Sequence, residues 1–257
     1  MNYTIPWATV KRNIIVGVSI LLLFQAFAVW IVPEQLPTVM DIYDRLIAVI
    51  TEGGPRGNTG LYHLQRSLIR VAIMTIIGLA ISIVFGIAMG VNASVEKGLA
   101  FWLPFFYTFP TVVVVLITMV VFRFSELSII LAVPFIGTPY GIAIIWEGAK
   151  DIDTDLIEMA NSFEVSNLDM WRHVYLPSIL PFVFGAFRYL LSSIWKVVVL
   201  AEAVGMSIGV GAMIRFWYQR ADIAGLMAYL ILFVAVMLLF QFGIAPIESR
   251  LTRWQRE

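Results

Sequence analysis

The sequence contains no cysteine and only two histidines, His63 and His173. Disulfide bonds and thiolate chemistry within the chain are therefore excluded. Charged residues are scarce, at 13%, and 17 basic side chains balance 17 acidic ones. The chain therefore has no positive net charge that would indicate nucleic-acid binding. Hydrophobic residues, in contrast, make up 60% of the chain, and the mean hydropathy is +0.90. A soluble domain does not reach these values, so the composition predicts an all-α polytopic membrane protein.

Six apolar stretches are long enough to cross a bilayer as helices. They cover residues 14–32, 68–91, 99–122, 127–146, 182–204 and 223–244. The first stretch lies where a signal peptide would, but it lacks a small-x-small cleavage site, and we interpret it as a spanning helix. Lys11 and Arg12 precede it, and the positive-inside rule then places the N-terminus in the cytoplasm. Six spans also bring the basic tail, residues 248–257, to the cytoplasm.

A polar segment, residues 146–181, separates the fourth and fifth stretches. Thr154 is a good N-cap residue, and Asp155 places an acid in the first turn, where the helix dipole favours it. The pattern predicts a short amphipathic helix over residues 155–163.

A second short helix is predicted to follow at a right angle to the first. Ser166, with Asp169 three residues later, has the spacing of a shortened capping box and predicts its start. Pro177 and Pro181 predict its end. On periodicity alone, the segment could equally be an amphipathic loop on the membrane surface.

The spacing of this segment resembles the cytoplasmic signature of the permease subunits of binding-protein-dependent ABC importers. That signature reads Glu-Ala-Ala, three residues, Gly, nine residues, Ile, one residue, Leu-Pro. The sequence matches it at Glu158, Ala160, Leu176 and Pro177, and departs from it at Met159, Glu164 and Val174. Because Gly supplies the tight bend at the position of Glu164, we expect either another kind of bend or an added charge on the docking surface.

The resemblance implies the type I ABC importer permease fold, in which the first short helix is a coupling helix that docks on an ATPase subunit. The residues it assigns to coupling are Leu156, Ile157, Glu158, Ala160, Phe163, Glu164, Leu176 and Pro177. It also implies two ATPase subunits per complex, a second permease copy, which we expect to be identical, and an external solute-binding protein. ATP and Mg²⁺ belong to the ATPase, so no cofactor is expected on this chain.

The chain divides into three predicted parts. Residues 1–61 hold the first span and an outer segment, residues 62–247 form the permease core with the coupling loop at 147–181, and residues 248–257 form the tail. An amphipathic helix is predicted over residues 41–50 of the outer segment. This helix either touches the external binding protein or only links two spans.

Two features mark candidates for the translocation pathway. Pro104 and Pro110 frame Tyr107 and Thr108 in the third stretch, so the backbone there is predicted to be kinked. Such a broken segment lines a pathway in some transporters and serves only packing in other proteins. Tyr107, Thr108 and Pro110 are the candidates.

The fifth stretch carries three ionisable residues, which are costly at membrane depth. Arg188 lies near the cytoplasmic end and can snorkel, whereas Lys196 and Glu202 lie deeper and do not share a helix face. Lys196 either neutralises an acid on another helix or lines the pathway and attracts an anion. Glu202 and the turn at 208–211 resemble the nitrate, taurine, alkanesulfonate and bicarbonate branch of the family.

The branch implies a small anion as the solute, whereas the aromatic content would also suit a thiamine-precursor pyrimidine, riboflavin or an aromatic acid. A secondary transporter or channel without ATP is the alternative of another class, but no matching pair of broken helices supports it. The sequence has no phosphate loop, no metal-ligand cluster and no nucleophile beside a base, so we expect no catalytic residue. We interpret both histidines as structural and on opposite sides of the membrane.

Overall fold

The structure, a computed structural model, describes residues 7–30, 35–52 and 57–251, and these residues form a helical bundle. The α-helices are α1 (Trp7–Trp30), α2 (Val39–Thr51), α3 (Gly60–Val91), α4 (Ala93–Leu99), α5 (Trp102–Tyr107), α6 (Thr111–Val121), α7 (Glu126–Ile136), α8 (Thr138–Lys150), α9 (Thr154–Ser162), α10 (Asn167–Met170), α11 (Leu176–Gly205), α12 (Val210–Tyr218) and α13 (Ile223–Leu251). A π-helical turn, Trp171–Tyr175, joins α10 to α11.

Four continuous helices in the described residues are long and apolar enough to cross a membrane, and two bent helix pairs raise the number to as many as six. The four are Lys11–Trp30, Gly60–Val91, Asn167–Gly205 and Ile223–Ile244. The bent pairs are α4 and α5 with α6, whose axes are bent by 95° at the break, and α7 with α8, whose axes are bent by 41°. Residues 14–30 of the first apolar stretch and, to within one residue, the other five stretches fall on these helices and pairs; residues 31–32 lie outside the described part of the chain.

The bends occur at proline and glycine residues, and the one at Pro110 was predicted. Pro110 has an extended conformation, with ψ 117°, and separates α5 from α6. Gly137 separates α7 from α8, and Pro139 occupies the first turn of α8, where its missing N–H costs nothing. Asn92 separates α3 from α4, and its side chain caps α4 by accepting hydrogen bonds from the backbone N–H groups of Ser94 and Val95.

The centre of the bundle is formed by α3, α8 and α11. Gly86 and Gly90 of α3 face α8, and a Cβ atom at these positions would collide with Ile145 and Ala149. The close approach of the two helices therefore depends on the small-xxx-small pattern of α3, as the sequence indicates. Because α3 and α11 are antiparallel in the bundle, the start of α3 meets the end of α11, and we call this the Glu202 end; the opposite end carries α9.

The predicted amphipathic helix of the outer segment is α2. Thr38 and Asp41 form a reciprocal capping box at its start, and Ile42 and Val49 are its buried face. Arg45 of α2 forms an ion pair with Asp222, at 2.5 Å, before α13. This contact fixes α2 at the Glu202 end of the bundle.

Candidate functional site

The segment between α8 and α11 forms a helix, α9, at the predicted place but with shifted ends. The N-cap is Asp153 and not Thr154, because the Asp153 carboxylate accepts a hydrogen bond from the backbone N–H of Asp155 at 2.9 Å. Thr154 is therefore the first helical residue, and the helix ends at Ser162, before Phe163.

The apolar residues of α9 point in two directions. Ile157 packs against the core cluster around Ile145, and Ala160 is only 7% exposed, so both face the bundle. Leu156, Met159 and Phe163 are 43%, 54% and 76% exposed. Of the predicted coupling residues, therefore, Leu156 and Phe163 lie on the free face together with Met159, which was not in the predicted set.

Glu164 makes the bend after α9 in the position where the family signature has Gly. Its φ is +53°, a left-handed conformation. The Glu164 N–H donates to the carbonyl of Asn161 at 3.0 Å, and the Val165 N–H donates to that of Ala160 at 3.2 Å. These two bonds form a Schellman motif, which satisfies the last carbonyls of the helix. Of the two expectations for Glu164, another kind of bend is wrong, because the backbone makes the same left-handed bend that Gly would make. For Glu this conformation costs roughly 1–2 kcal/mol. The Glu164 side chain is exposed, so an added charge on the docking surface stays a prediction.

The prediction of a separate second short helix is wrong. Ser166 caps it as expected, accepting from the Asp169 N–H at 3.2 Å, but neither Pro177 nor Pro181 ends it. The chain passes from α10 through the π turn into α11, and Leu176 there bonds to the carbonyl of Trp171, five residues back. The π turn is wider than an α-helical turn, so it leaves room for the Pro177 ring. It also requires no hydrogen bond from the backbone N–H that proline lacks. Leu176 is exposed and Pro177 half-buried.

At the Glu202 end, the Glu202 carboxylate is fully buried and fully engaged. The Ser67 hydroxyl lies 2.8 Å from both of its oxygens, Arg70 Nη1 donates to Oε1 at 2.6 Å, and the Gly211 N–H donates to Oε2 at 2.9 Å. Arg70 also binds the half-exposed carboxylate of Glu126 through two nitrogens, at 2.8 Å and 2.6 Å. The network ties α3, α7 and α11 to the loop before α12.

The glycine turn at 208–211 closes over this carboxylate. Gly209 has φ +132°, and a Cβ atom there would collide with the carboxylate of Glu202. The Gly209 N–H donates to Nδ1 of His63 at 3.2 Å, and Arg70 donates to the carbonyl of Ile208 at 2.7 Å. The short helix after the turn is α12, which Arg215 holds to the last carbonyls of α11.

The other pathway candidates lie away from this network. Tyr107 ends α5, the Thr108 hydroxyl donates to the carbonyl of Phe105 at 2.7 Å, and Pro110 precedes α6, so all three lie at the 95° break. Lys196 is exposed on α11, with its nitrogen 5.9 Å from the centre of the Trp195 ring. Within residues 7–30, 35–52 and 57–251, no carboxylate oxygen lies within 4.0 Å of that nitrogen.

Residues 78–253 match the family model described as the binding-protein-dependent transport system inner membrane component. The chain belongs to this family. It is 29% identical over 221 residues to the aliphatic sulfonates transport permease protein SsuC of Bacillus subtilis, covering 86% of this chain and 78% of that protein. It is 25% identical over 226 residues to the taurine transport system permease protein TauC of Escherichia coli, covering 88% and 82%.

The fold of this permease also resembles that of a solved transporter. A bacterial ABC transporter involved in the import of the acidic polysaccharide alginate superimposes with a TM-score of 0.62 at 13% identity, covering 96% of this chain and 99% of that one. By its family and its relatives, the protein is the permease subunit of a binding-protein-dependent ABC importer. The resemblance drawn from the sequence signature is confirmed.

The partner of Glu202 was not predicted from the sequence. Arg70 lies inside the predicted second span, and it was not singled out although an arginine there is as costly as Glu202 in the fifth span. Two opposite charges in two apolar helices are a signal that they pair. Ser67 and Glu126 carry no such signal, because hydroxyls and residues at span ends are common in membrane helices.

Proposed function

We propose that this permease moves a small oxyanion, with an organic sulfonate as the first choice, from an external binding protein across the inner membrane. ATP hydrolysis by separate ATPase subunits drives the movement, and ATP and Mg²⁺ are held there and not by this chain. The choice of substrate is supported by two relatives that are named as sulfonate and taurine permeases.

In the membrane, each bent helix pair crosses once, so the chain has six spans and both termini lie in the cytoplasm. Lys11 and Arg12 at the start of α1 and Arg250 at the end of α13 support this orientation by the positive-inside rule. The rest of the basic tail, residues 252–257, lies outside the described part of the chain. The orientation puts α9 in the cytoplasm and the Glu202 end on the outer side.

The observation that carries the proposal is the free apolar face of α9. Leu156, Met159 and Phe163 are too exposed to serve the fold of a single chain, and on the cytoplasmic side no lipid tails would cover them. A cleft of an ATPase subunit would bury this face, with Glu158 and Glu164 at its rim. Ile157 and Ala160, on the opposite side of α9, would pass the motion of the ATPase to the core.

Two copies of this chain, in the proposed homodimer, would enclose the pathway, with one ATPase subunit below each. Closure of the ATPase dimer on ATP draws the two α9 helices together, and the bundles tilt so that the outer side opens to the binding protein. At that side, the Glu202 network holds α3, α7, α11 and the 208–211 turn as one body. Tilting therefore moves the outer gate as a unit.

The test is co-purification from native membranes in mild detergent, with the recovered chains identified by mass spectrometry. We expect the ATPase to be recovered with the unchanged permease and lost with Phe163→Asp, because a carboxylate would be buried in an apolar cleft. Tyr218→Asp is the matched control, since Tyr218 is 73% exposed at the opposite end of the bundle. Recovery of the permease without any ATPase, while other transporter complexes stay intact, would favour an ATP-independent carrier instead.

A further inference from the structure

Three tyrosines from three helices meet between the two ends of the bundle, which corresponds to about mid-depth if the six apolar stretches span the membrane. The ring centres of Tyr107 and Tyr140 are 4.2 Å apart and stacked, and those of Tyr140 and Tyr189 are 5.1 Å apart. Each tyrosine lies near the middle of its helix or bent pair, residues 93–121, 126–150 and 176–205. Tyrosine in membrane proteins is usually found at the two interfaces, where the hydroxyl reaches water. Hydroxyls at mid-depth need another polar environment.

The polar surface continues along α11 from Tyr189. Ser193 lies one turn further on, and Lys196 lies seven residues after Tyr189, so both share a helix face with Tyr189. The opposite face of α11 carries the residues buried in the core, Leu190, Ile194 and Val198 among them. A single stripe of hydroxyls and one ammonium group thus faces away from the protomer core.

The depth of Lys196 in α11 makes contact with lipid costly for its ammonium group. It lies nine residues, roughly 13 Å of helix, before the end of α11, so its side chain starts well inside the apolar zone. Its nitrogen has no carboxylate within 4.0 Å among the described residues. An exposed ammonium group at this depth is stable when it faces a water-filled cavity or an anion.

We infer that Lys196, Ser193 and Tyr189 form an anion-binding step on the wall of the translocation pathway, with Tyr140 and Tyr107 as its continuation. The step takes a small tetrahedral or planar oxyanion: the ammonium supplies the charge, and the hydroxyls donate to the oxygens that the ammonium does not reach. One cation from each copy suits transport, because a denser cluster of charges would bind the solute too tightly for release. This inference rests on the proposed transport function and names the residues that meet the solute.

The absence of cysteine from the chain allows a direct test in the purified complex with its ATPase. Ser193→Cys is treated with an anionic and a cationic methanethiosulfonate reagent, with and without Lys196→Met. We expect the anionic reagent to react faster, and the ratio of the two rates to fall about fivefold or more when the ammonium is removed. Leu239→Cys, at a 70% exposed apolar position of α13, is the control and should react with neither.

Uptake into proteoliposomes that contain the complete importer gives the second readout. Methanesulfonate, taurine and nitrate are the probes, and the one taken up in an ATP-dependent manner is used for the variants. We expect Lys196→Met to lower its uptake about tenfold or more and Lys196→Arg to restore most of it, because a charge-assisted hydrogen bond is lost and regained. Lys97→Met, at an exposed position of α4, is the matched control and should leave uptake unchanged.

The outcomes separate this inference from the proposed function. A transporting complex in which Ser193→Cys reacts with neither reagent, or reacts without preference for the anionic one, overturns the anion step and leaves the importer intact. ATP-dependent uptake that Lys196→Met does not change overturns it as well. Failure of the proposed function appears instead as the absence of an ATPase from the purified complex.

Discussion

Replacing Arg70 with Met is the sharpest test of the buried network, because it removes the guanidinium and leaves the buried carboxylate of Glu202 without a cation. Arg70 makes two contacts to Glu126, one to Glu202 at 2.6 Å and one to the carbonyl of Ile208 at 2.7 Å. Met fills a similar volume, so the loss is electrostatic and not a cavity. After the change, Glu202 keeps only Ser67 and Gly211 as partners.

The magnitude follows from the burial of each acid. Glu202 has no exposed surface, and removing one partner of a buried ion pair costs about 3–5 kcal/mol. The side chain of Glu126 is 48% exposed, so its pairing contributes at most about 1 kcal/mol. Glu202→Gln is milder, about 1–3 kcal/mol, because Arg70 remains paired with Glu126 and the amide oxygen still accepts one hydrogen bond. The amide NH2 then faces the other N–H donor, from Arg70 or from the backbone of Gly211, and leaves it without an acceptor.

The assay is thermal unfolding in detergent, followed by the fluorescence of the eight tryptophans. At about 2–4 °C per kcal/mol for a chain of this size, Arg70→Met should lower the Tm by roughly 10 °C and Glu126→Gln by a few degrees at most. Arg66→Met, at an exposed position one turn earlier on α3, should change little. If Arg70→Met lowers the Tm no more than Glu126→Gln does, the network does not carry the burial cost assigned to it.

Three further predictions concern the helix ends and the helix contacts. Glu164→Gly should raise the stability of the α9 end by about 1 kcal/mol, since glycine adopts the left-handed conformation without strain; slower proteolysis at this bend measures it, and faster proteolysis would contradict it. Gly86→Leu should abolish a monodisperse fold in size-exclusion chromatography because its Cβ would enter α8, whereas Gly98→Leu, which has open space, should not. Hydrogen bonds from the side chain and the backbone of Thr38 hold the pKa of Asp41 below its ordinary value of 3.8. The stability that these hydrogen bonds give to α2 is therefore complete above pH 3.8, and it is lost as the pH falls through the lower pKa of the folded state. Amide exchange in α2 should therefore accelerate on acidification in the unchanged protein and less so in Asp41→Asn.

The coupling segment illustrates how far local patterns reach. The spacing of Glu158, Ala160, Leu176 and Pro177 identified the family, and capping rules placed α9 within one residue at either end. The fate of Pro177 was not predictable in the same way, because a proline ends a helix unless the preceding turn widens to accept it. That widening, over Trp171–Tyr175, makes α10 the start of the long helix and not a separate one.

The direction in which each side of α9 faces is likewise a tertiary result. Periodicity groups Leu156, Ile157, Ala160 and Phe163 into one broad apolar stripe, but it does not say which edge of the stripe meets the core. Contact with the cluster around Ile145 decides this, and it leaves Leu156 and Phe163 free. Variants of the free face therefore test docking without disturbing the packing at Ala160.

By itself, the sequence determined the membrane class, the position of all six apolar stretches and the family signature, because hydropathy and capping act over one or two helix turns. Only the tertiary structure decided that Glu202 is held by Arg70, 132 residues away, and that Tyr107, Tyr140 and Tyr189 meet at one depth. Pairing between helices depends on which faces touch and at what height, and no short-range pattern contains that information. The buried charge needed a partner on energetic grounds, whereas the packing of α3 against α11 decided which one it has.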